Sequence, residues 1–296
     1  MYRPFAALFA CCAVSACGSG GPSNFSNNPP PPPPPANFSL RLFGTGSGID
    51  RVKIPLLDAS GAARPVNIGA TDFTIEFWIK GNMADNPTTG CTTGSIAKDE
   101  WLNGAVVIDR DLLGDGDFGE YGVSLRGGQV AFGVSHANGG QTLCGAHNVL
   151  DGNWHHVALT RQLATGQMTI FVDGFQETSQ NNVGASGDVS YNPLHAAQDA
   201  SDPLLVLGAQ KRDAATARAF SGLIDELRLS TRLRYTGPFP PPSAAFVADT
   251  DTAALYHFDE ASGTDIIDAS ATSASPGVLV PAPTATGSNR SNDVPF

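Results

Sequence analysis

One seven-residue segment constrains the chain more than any bulk property. Phe73-Thr74-Ile75-Glu76-Phe77-Trp78-Ile79 alternates apolar and polar residues before becoming apolar on both faces. A period of two is the signature of a half-buried β-strand, because residues i and i+2 share a face. Runs of similar length recur. Residues 121–125 (YGVSL) and 130–134 (VAFGV) flank Arg126-Gly127-Gly128-Gln129, a hairpin signal. Residues 154–160 and 168–172 flank a turn with Gly166 at its tip, and 105–108, 204–207, 223–229 and 253–258 complete the set. No long segment has a period of 3.6, and the Ala-rich piece 214–219 has room for one helical turn at most. With 33 Gly and 22 Pro among 296 residues, turn chemistry is abundant. Many short strands joined by tight turns predict an all-β chain, a two-sheet antiparallel sandwich or jelly roll. No tandem repeat is visible, and 253–268 reads as the closing strand of one domain.

The first residues read as an address. Arg3 precedes an apolar stretch, 5–14, too short to span a bilayer. The stretch runs into Val14-Ser15-Ala16-Cys17-Gly18. This resembles the lipobox of bacterial lipoproteins, which implies cleavage before Cys17 and acylation of its thiol. Several acyl chains would hold the protein stably on a membrane. By the same resemblance, Gly18 in place of Asp implies sorting to the outer membrane. Apart from Phe25 and Ala36, residues 18–36 are Gly, Ser, Asn and Pro, with seven consecutive prolines from Pro29 to Pro35. Such a segment forms a stiff polyproline II spacer rather than a core. The expected organisation is a signal peptide (1–16), a lipid-anchored Pro-rich linker (17–38), a sandwich (39–271) and a flexible tail (272–296).

Of five cysteines, Cys11 and Cys12 lie in the signal and Cys17 is the anchor. Cys91 and Cys144 remain as an even pair in an oxidising compartment, so a disulfide between them is expected. The chain carries 17 Lys and Arg against 28 Asp and Glu, a net charge of −11. An acidic surface repels phosphate backbones, which argues against nucleic acid as a partner.

Several segments also carry a family likeness. Residues 72–78 (DFTIEFW), 152–158 (GNWHHVA), 170–174 (IFVDG), 220–228 (FSGLIDELR) and 255–263 (LYHFDEASG) resemble the laminin-G-like jelly roll of the concanavalin-A-like lectin/glucanase superfamily. The likeness covers about residues 37–271 and implies the fold. It says little about activity, because this fold hosts many.

Glycoside hydrolysis needs two carboxylates flanking the scissile bond. The Glu-x-Asp-x-x-Glu strand pattern of sandwich glucanases is absent. Asp225 and Glu226 are neighbours, and Asp109 and Asp111 share a face but lack a third carboxylate at the needed spacing. The expectation is therefore a protein without a catalytic centre. Calcium is a candidate ion at 109–120, where Asp115 and Asp117 stand among five carboxylates, a hard-oxygen set without EF-hand spacing. The resemblance implies a second candidate ligand, Asp225, whose alternative is an ion pair with Arg228 or Arg232. Trp78 and Trp154 are expected in the sandwich core. Trp101 follows Lys98-Asp99-Glu100 and is the candidate ligand contact, with a loop anchor as the alternative. His155 and His156 must face opposite ways in a strand, one inward and one at the surface. The long polar segments 83–104, 136–150 and 181–203 are the expected binding loops. These features predict an outer-membrane lipoprotein that binds a glycan or protein ligand through its sandwich loops, with a structural envelope role, and after it a glycoside hydrolase of the same fold, as the alternatives.

Overall fold

The computed structural model describes residues 37–44, 49–113, 119–136, 139–192, 199–212, 218–282 and 287–296. Cys17, Asp115 and Asp117, with the signal and almost all of the Pro-rich linker, lie outside the described residues. The described residues belong to one compact unit, Ala36–Phe296. Its strands begin with β1 (Ser39–Leu42), β2 (Arg51–Pro55), β3 (Phe73–Gly81), β4 (Gly94–Ile96) and β5 (Ala105–Arg110). The next are β6 (Glu120–Arg126), β7 (Gln129–His136), β8 (Gly139–Cys144), β9 (His155–Arg161), β10 (Met168–Val172) and β11 (Phe175–Gln180). The last are β12 (Leu204–Leu207), β13 (Gly222–Ser230), β14 (Thr252–Tyr256), β15 (Asp265–Ile266), β16 (Gly277–Val280) and β17 (Arg290–Ser291).

They form two antiparallel sheets. Sheet A runs β11-β10-β9-β3-β13-β1-β17, with β14 also paired to β13. Sheet B runs β15-β16-β2-β12-β5-β6-β7-β8-β4. The jelly-roll sandwich read from the strand pattern is therefore the fold.

Alternation decides what lies between the sheets. From β3, Phe73, Ile75, Phe77 and Ile79 point inward, and from β6 and β7 come Tyr121, Val123, Leu125, Val130, Phe132 and Val134. Phe73 meets Tyr121 at 5.4 Å and Phe132 at 6.3 Å between ring centroids. Each such side chain, fully removed from water, contributes about 1.5–3 kcal/mol. Because the period is two, the partners of these residues, Glu76 and Trp78 in β3, must face away from sheet B.

Three expectations are corrected here. Residues 272–296 are not a flexible tail, since β16 pairs with β2 and β17 with β1. The short run Gly277-Val278-Leu279-Val280 alternates buried and exposed residues, and Leu279 enters the core. Segment 136–150 is not irregular throughout, because β8 within it pairs with β7. Trp78 and Trp154 do not fill the inter-sheet core; both are half-buried on the outer side of sheet A or at its edge.

Candidate functional site

Two of the segments first expected to bind, 83–104 and 136–150, contribute to a second, smaller core. Segment 83–104 makes 3-10 turns at Met83–Asp85 and Glu100–Asn103 and lies over the outer face of sheet B. Cys91 and Cys144 are joined in a disulfide that ties this segment to β8. Trp101, the expected ligand contact, is only 1% exposed. Its indole lies flat over Gly122 and Gly133, where an added Cβ would come within 2.1 and 1.9 Å of the ring. Two glycines facing outward make the slot, and the ring fills it. Trp101 is thus a packing anchor that no ligand can reach from solvent.

Asp225 is equally enclosed, at 1% exposure. Its Oδ1 accepts the Glu226 amide at 2.9 Å. Burial, and next the charge of Glu226, push its pKa up to about 8. Glu226 is turned away by a left-handed residue (φ 51°) at the bulge in β13. There Oε2 accepts the Phe246 amide at 2.7 Å, and Oε1 meets His257 Nδ1 at 2.7 Å. Asp225 is thus enclosed, and its neighbour Glu226 is committed to Phe246 and His257. Near the other calcium candidate, Asp109 accepts the amides of Asp111 and Lys211 at 2.8 and 2.7 Å. Asp111 pairs with Arg212, and Glu120 Oε2 accepts the Leu112 amide. These flanking carboxylates are committed to the protein itself. Among the described residues no group of three His, Cys, Asp or Glu is placed to hold a metal.

The outer face of sheet A has a different character. A Pro-rich strap, residues 235–246, crosses it. Proline suits such a crossing because it has no amide hydrogen to leave unpaired. The Phe239 amide donates to the Gly174 carbonyl at 3.0 Å, and Tyr235 Oη donates to Glu76 Oε2 at 2.7 Å. Gly174 has φ 79°, and a Cβ there would lie 1.8 Å from the Phe239 carbonyl oxygen, so only glycine admits the strap. Tyr235 and Phe239 stack at 3.6 Å, and Phe171 meets Phe239 at 5.6 Å.

Beneath the strap lie the charges. Glu76 is fully buried, with Arg228 Nη2 at 2.8 Å and Arg234 Nε at 3.6 Å from Oε1. Burial alone would raise its pKa. The His156 contact, the Arg228 charge and the Tyr235 hydroxyl outweigh that and hold it low. His156, also fully buried, lies 3.4 Å from Glu76 Oε2 among the rings of Trp78, Phe239 and Phe246. Neither of its ring nitrogens has a hydrogen-bond partner among the described residues. The two histidines do face opposite ways as expected, but the buried one sits under the strap, not in the inter-sheet core. His155 instead lies between Asp173 and Asp151 at 2.8 and 3.0 Å.

Between the strap and strands β9 to β11 is a groove of about 170 Å³. Thr160, Gln162, Gln167, Thr169, Gln176 and Ser179 line it, with Phe171 and Tyr235. No charged side chain lines it. The polar groups are already ordered, with Thr169 Oγ1 and Ser179 Oγ 2.8 Å apart and Gln167 Nε2 donating to Ser179 Oγ at 3.0 Å. Amides and hydroxyls beside aromatic carbon can hydrogen-bond hydroxyls and pack against the apolar face of a sugar ring. They supply no acid or base. Sequence reasoning missed this groove because isolated Gln and Thr form no motif. The signal that could have found it was parity, since Thr160, Thr169 and Phe171 fall on the faces opposite the inward Leu159, Ile170 and Val172.

A family profile, concanavalin A-like lectin/glucanases superfamily of laminin G type, matches residues 58–235, more than half of the chain. The chain belongs to that superfamily. Among solved structures it is similar to a candidate carbohydrate-binding protein from Bacteroides ovatus, with 16% identity and a TM-score of 0.51. That match covers 84% of this chain and 60% of the other, so the chain spans less than two thirds of it. It is also similar to domains LG4-5 of the mouse laminin α1 chain, at 14% identity and a TM-score of 0.43, covering 67% of this chain and 42% of that one. It is also similar to a heptameric SAP-like pentraxin from Limulus polyphemus, at 14% identity and a TM-score of 0.39, covering 72% of this chain and 92% of that one. At these identities the likeness is one of fold. A search of curated proteins gave no match.

Proposed function

We propose that this chain is a non-catalytic carbohydrate-binding module held on the cell envelope by a lipid anchor at Cys17. The observation that carries the reading is the uncharged groove beside the strap, ordered hydroxyls and amides against Phe171 and Tyr235. Polyhydroxylated ligands are recognised by such pairings of directional polar groups with an apolar surface. Membership of a superfamily of lectins and glucanases supports the same ligand class. The carboxylates on this face favour binding over hydrolysis. Glu76 and Asp225 are both buried, and each accepts hydrogen bonds from its own surroundings. The net charge of −11 supports a partner other than nucleic acid.

A glycan array tests the ligand class. The chain is expected to retain neutral oligosaccharides, and Gln176→Ala to weaken that retention about fivefold, the worth of one lost hydrogen bond. Gln176 is exposed, so the substitution leaves the core intact. No retention of any neutral glycan, or retention indifferent to Gln176, contradicts the reading. The anchor has its own assay: Cys17→Ser is expected to move the protein from the membrane fraction to the soluble one. Calcium held by Asp115 and Asp117, which lie outside the described residues, is part of this proposal as a structural ion. A chelator is then expected to lower the melting temperature.

A further inference from the structure

A second feature of sheet A's outer face lies away from the groove. Residues 292–296 cross this face beyond the strap. Asp293 is held there by two donors, Lys80 Nζ at 2.7 Å and Trp154 Nε1 at 2.9 Å. Its carbonyl accepts from Ser39 Oγ at 2.7 Å. Phe296 stands edge-on to Trp78, with centroids 6.0 Å apart and planes at 85°. Ile79 pairs with His155, so Lys80 and Trp154 come next to one another, with Trp78 one register step away on the same face. On the far side of Lys80 a pocket of about 270 Å³ opens, lined in part by Arg41, Asn82, Ser221 and Leu223.

The segment fits this surface only in part. Asp293 answers the positive charge, and Lys80 and Arg41 help keep its carboxyl ionised against the cost of burial. Phe296 covers Trp78 with carbon. The Trp78 indole N–H is left buried with no hydrogen-bond partner among the described residues. An unsatisfied buried donor costs about 1–3 kcal/mol and calls for an explanation. A ring bearing hydroxyls against Trp78, in place of Phe296, would bring acceptors that the phenyl ring lacks. The adjoining pocket offers polar groups for further hydroxyls.

We propose that Lys80, Arg41, Trp78 and Trp154 form a second binding site, for an acidic saccharide bearing a uronate carboxylate, and that residues 292–296 occupy it as an internal stand-in for that ligand. The uronate carboxylate takes the place of Asp293 between Lys80 and Trp154. The sugar ring takes the place of Phe296, with a ring or hydroxyl oxygen accepting from Trp78. Because the stand-in is tethered, it competes at an effective concentration on the order of millimolar, and free ligand binds weakly until it is displaced. The proposal rests on reading the outer face of sheet A as a recognition face, but not on the groove.

The test titrates tetragalacturonate into the full chain and into a D293A/F296A variant by calorimetry. The variant is expected to bind at least tenfold more tightly, and adding Lys80→Ala to it to reverse the gain. Neutral galactotetraose is expected to show no gain in the variant. F296A alone, which keeps both Asp293 bonds and so the anchored segment, is expected to give a smaller gain of the same sign. It decides the matter if the double variant does not fold. Equal affinity in the full chain and the variants overturns the proposal, as does a gain for an acidic peptide that exceeds the gain for the uronate. The groove is tested separately by Gln176→Ala with neutral glycans, so failure of one reading leaves the other measurable.

Discussion

His155 sits between Asp173 and Asp151 and draws together the turn before β9 and the turn between β10 and β11. The Asp173 hydrogen bond raises its pKa against the opposing effect of burial, and Asp151 adds to the rise. Asp151 is itself lowered to about 2, by the Asn153 amide and then by His155. The raised His pKa means that the folded state binds the proton more tightly than the unfolded state does. Its contribution is complete below the unfolded value of about 6.5 and is lost as pH rises through the folded value. The Asp151 contribution runs the other way, present above the usual carboxylate value and lost as pH falls toward 2. His155→Gln is therefore expected to lower the melting temperature most between about pH 4.5 and 6, and much less at pH 8.5. A difference that does not vary with pH would show that His155 is not charged in the fold. Residue-scale legibility follows the same physics. That His155 and His156 face opposite ways was readable, because parity is fixed by the strand. Which face is the core was not. Trp78 shares parity with Glu76, and that pairing with a charge was the available sign that it lies outside. For Trp101 both a ligand contact and a loop anchor stood open, for another reason. Its slot is made by Gly122 and Gly133, more than 20 residues downstream, and nothing local announces a pair of outward glycines.

Among elements, those with clear alternation were legible and those whose burial is supplied by distant partners were not. β3, β6, β7 and β9 carry their own pattern, and the first three supply core residues on one parity. β8 begins Gly139-Gly140-Gln141-Thr142, which has no apolar rhythm, and is fixed by pairing to β7 and to β4. β16 is only four residues long and lies beyond what looked like a closing strand. Its place in sheet B is nonetheless a claim about energy. Leu279 is 4% exposed and pairs with Val52 in the core. Leu279→Ala is expected to cost about 2–5 kcal/mol of unfolding free energy by chemical denaturation, the usual range for a buried leucine. A cost near zero would mean that 277–280 does not belong to the sandwich. The strap is the other element that the strand pattern did not reveal. Its prolines read as a loop, whereas the sheet beneath turns them into a cover for Glu76 and His156.

For the whole molecule, the sandwich supplies two outer faces with different fates. Sheet B's is partly closed by the disulfide-tied segment 83–104 and its Trp101 anchor. Sheet A's is covered in the middle by the strap and remains open beside it. Beneath the strap Glu76 is buried and paired with Arg228 and Arg234, while the lining of the groove beside it is uncharged. The fold was legible because alternation and turn chemistry recur along the chain. The proposed recognition face was not, because it is assembled from side chains on β9, β10, β11 and the strap that share no motif. The central claim is that this face holds a sugar polymer without cutting it. Affinity electrophoresis through gels containing glucans or galactans, with reducing ends assayed in the same lanes, tests it most directly. The account predicts slowed migration in at least one neutral polymer, relief of the slowing in Gln176→Ala, and no new reducing ends. New reducing ends, or a mobility indifferent to both polymer and substitution, would contradict it.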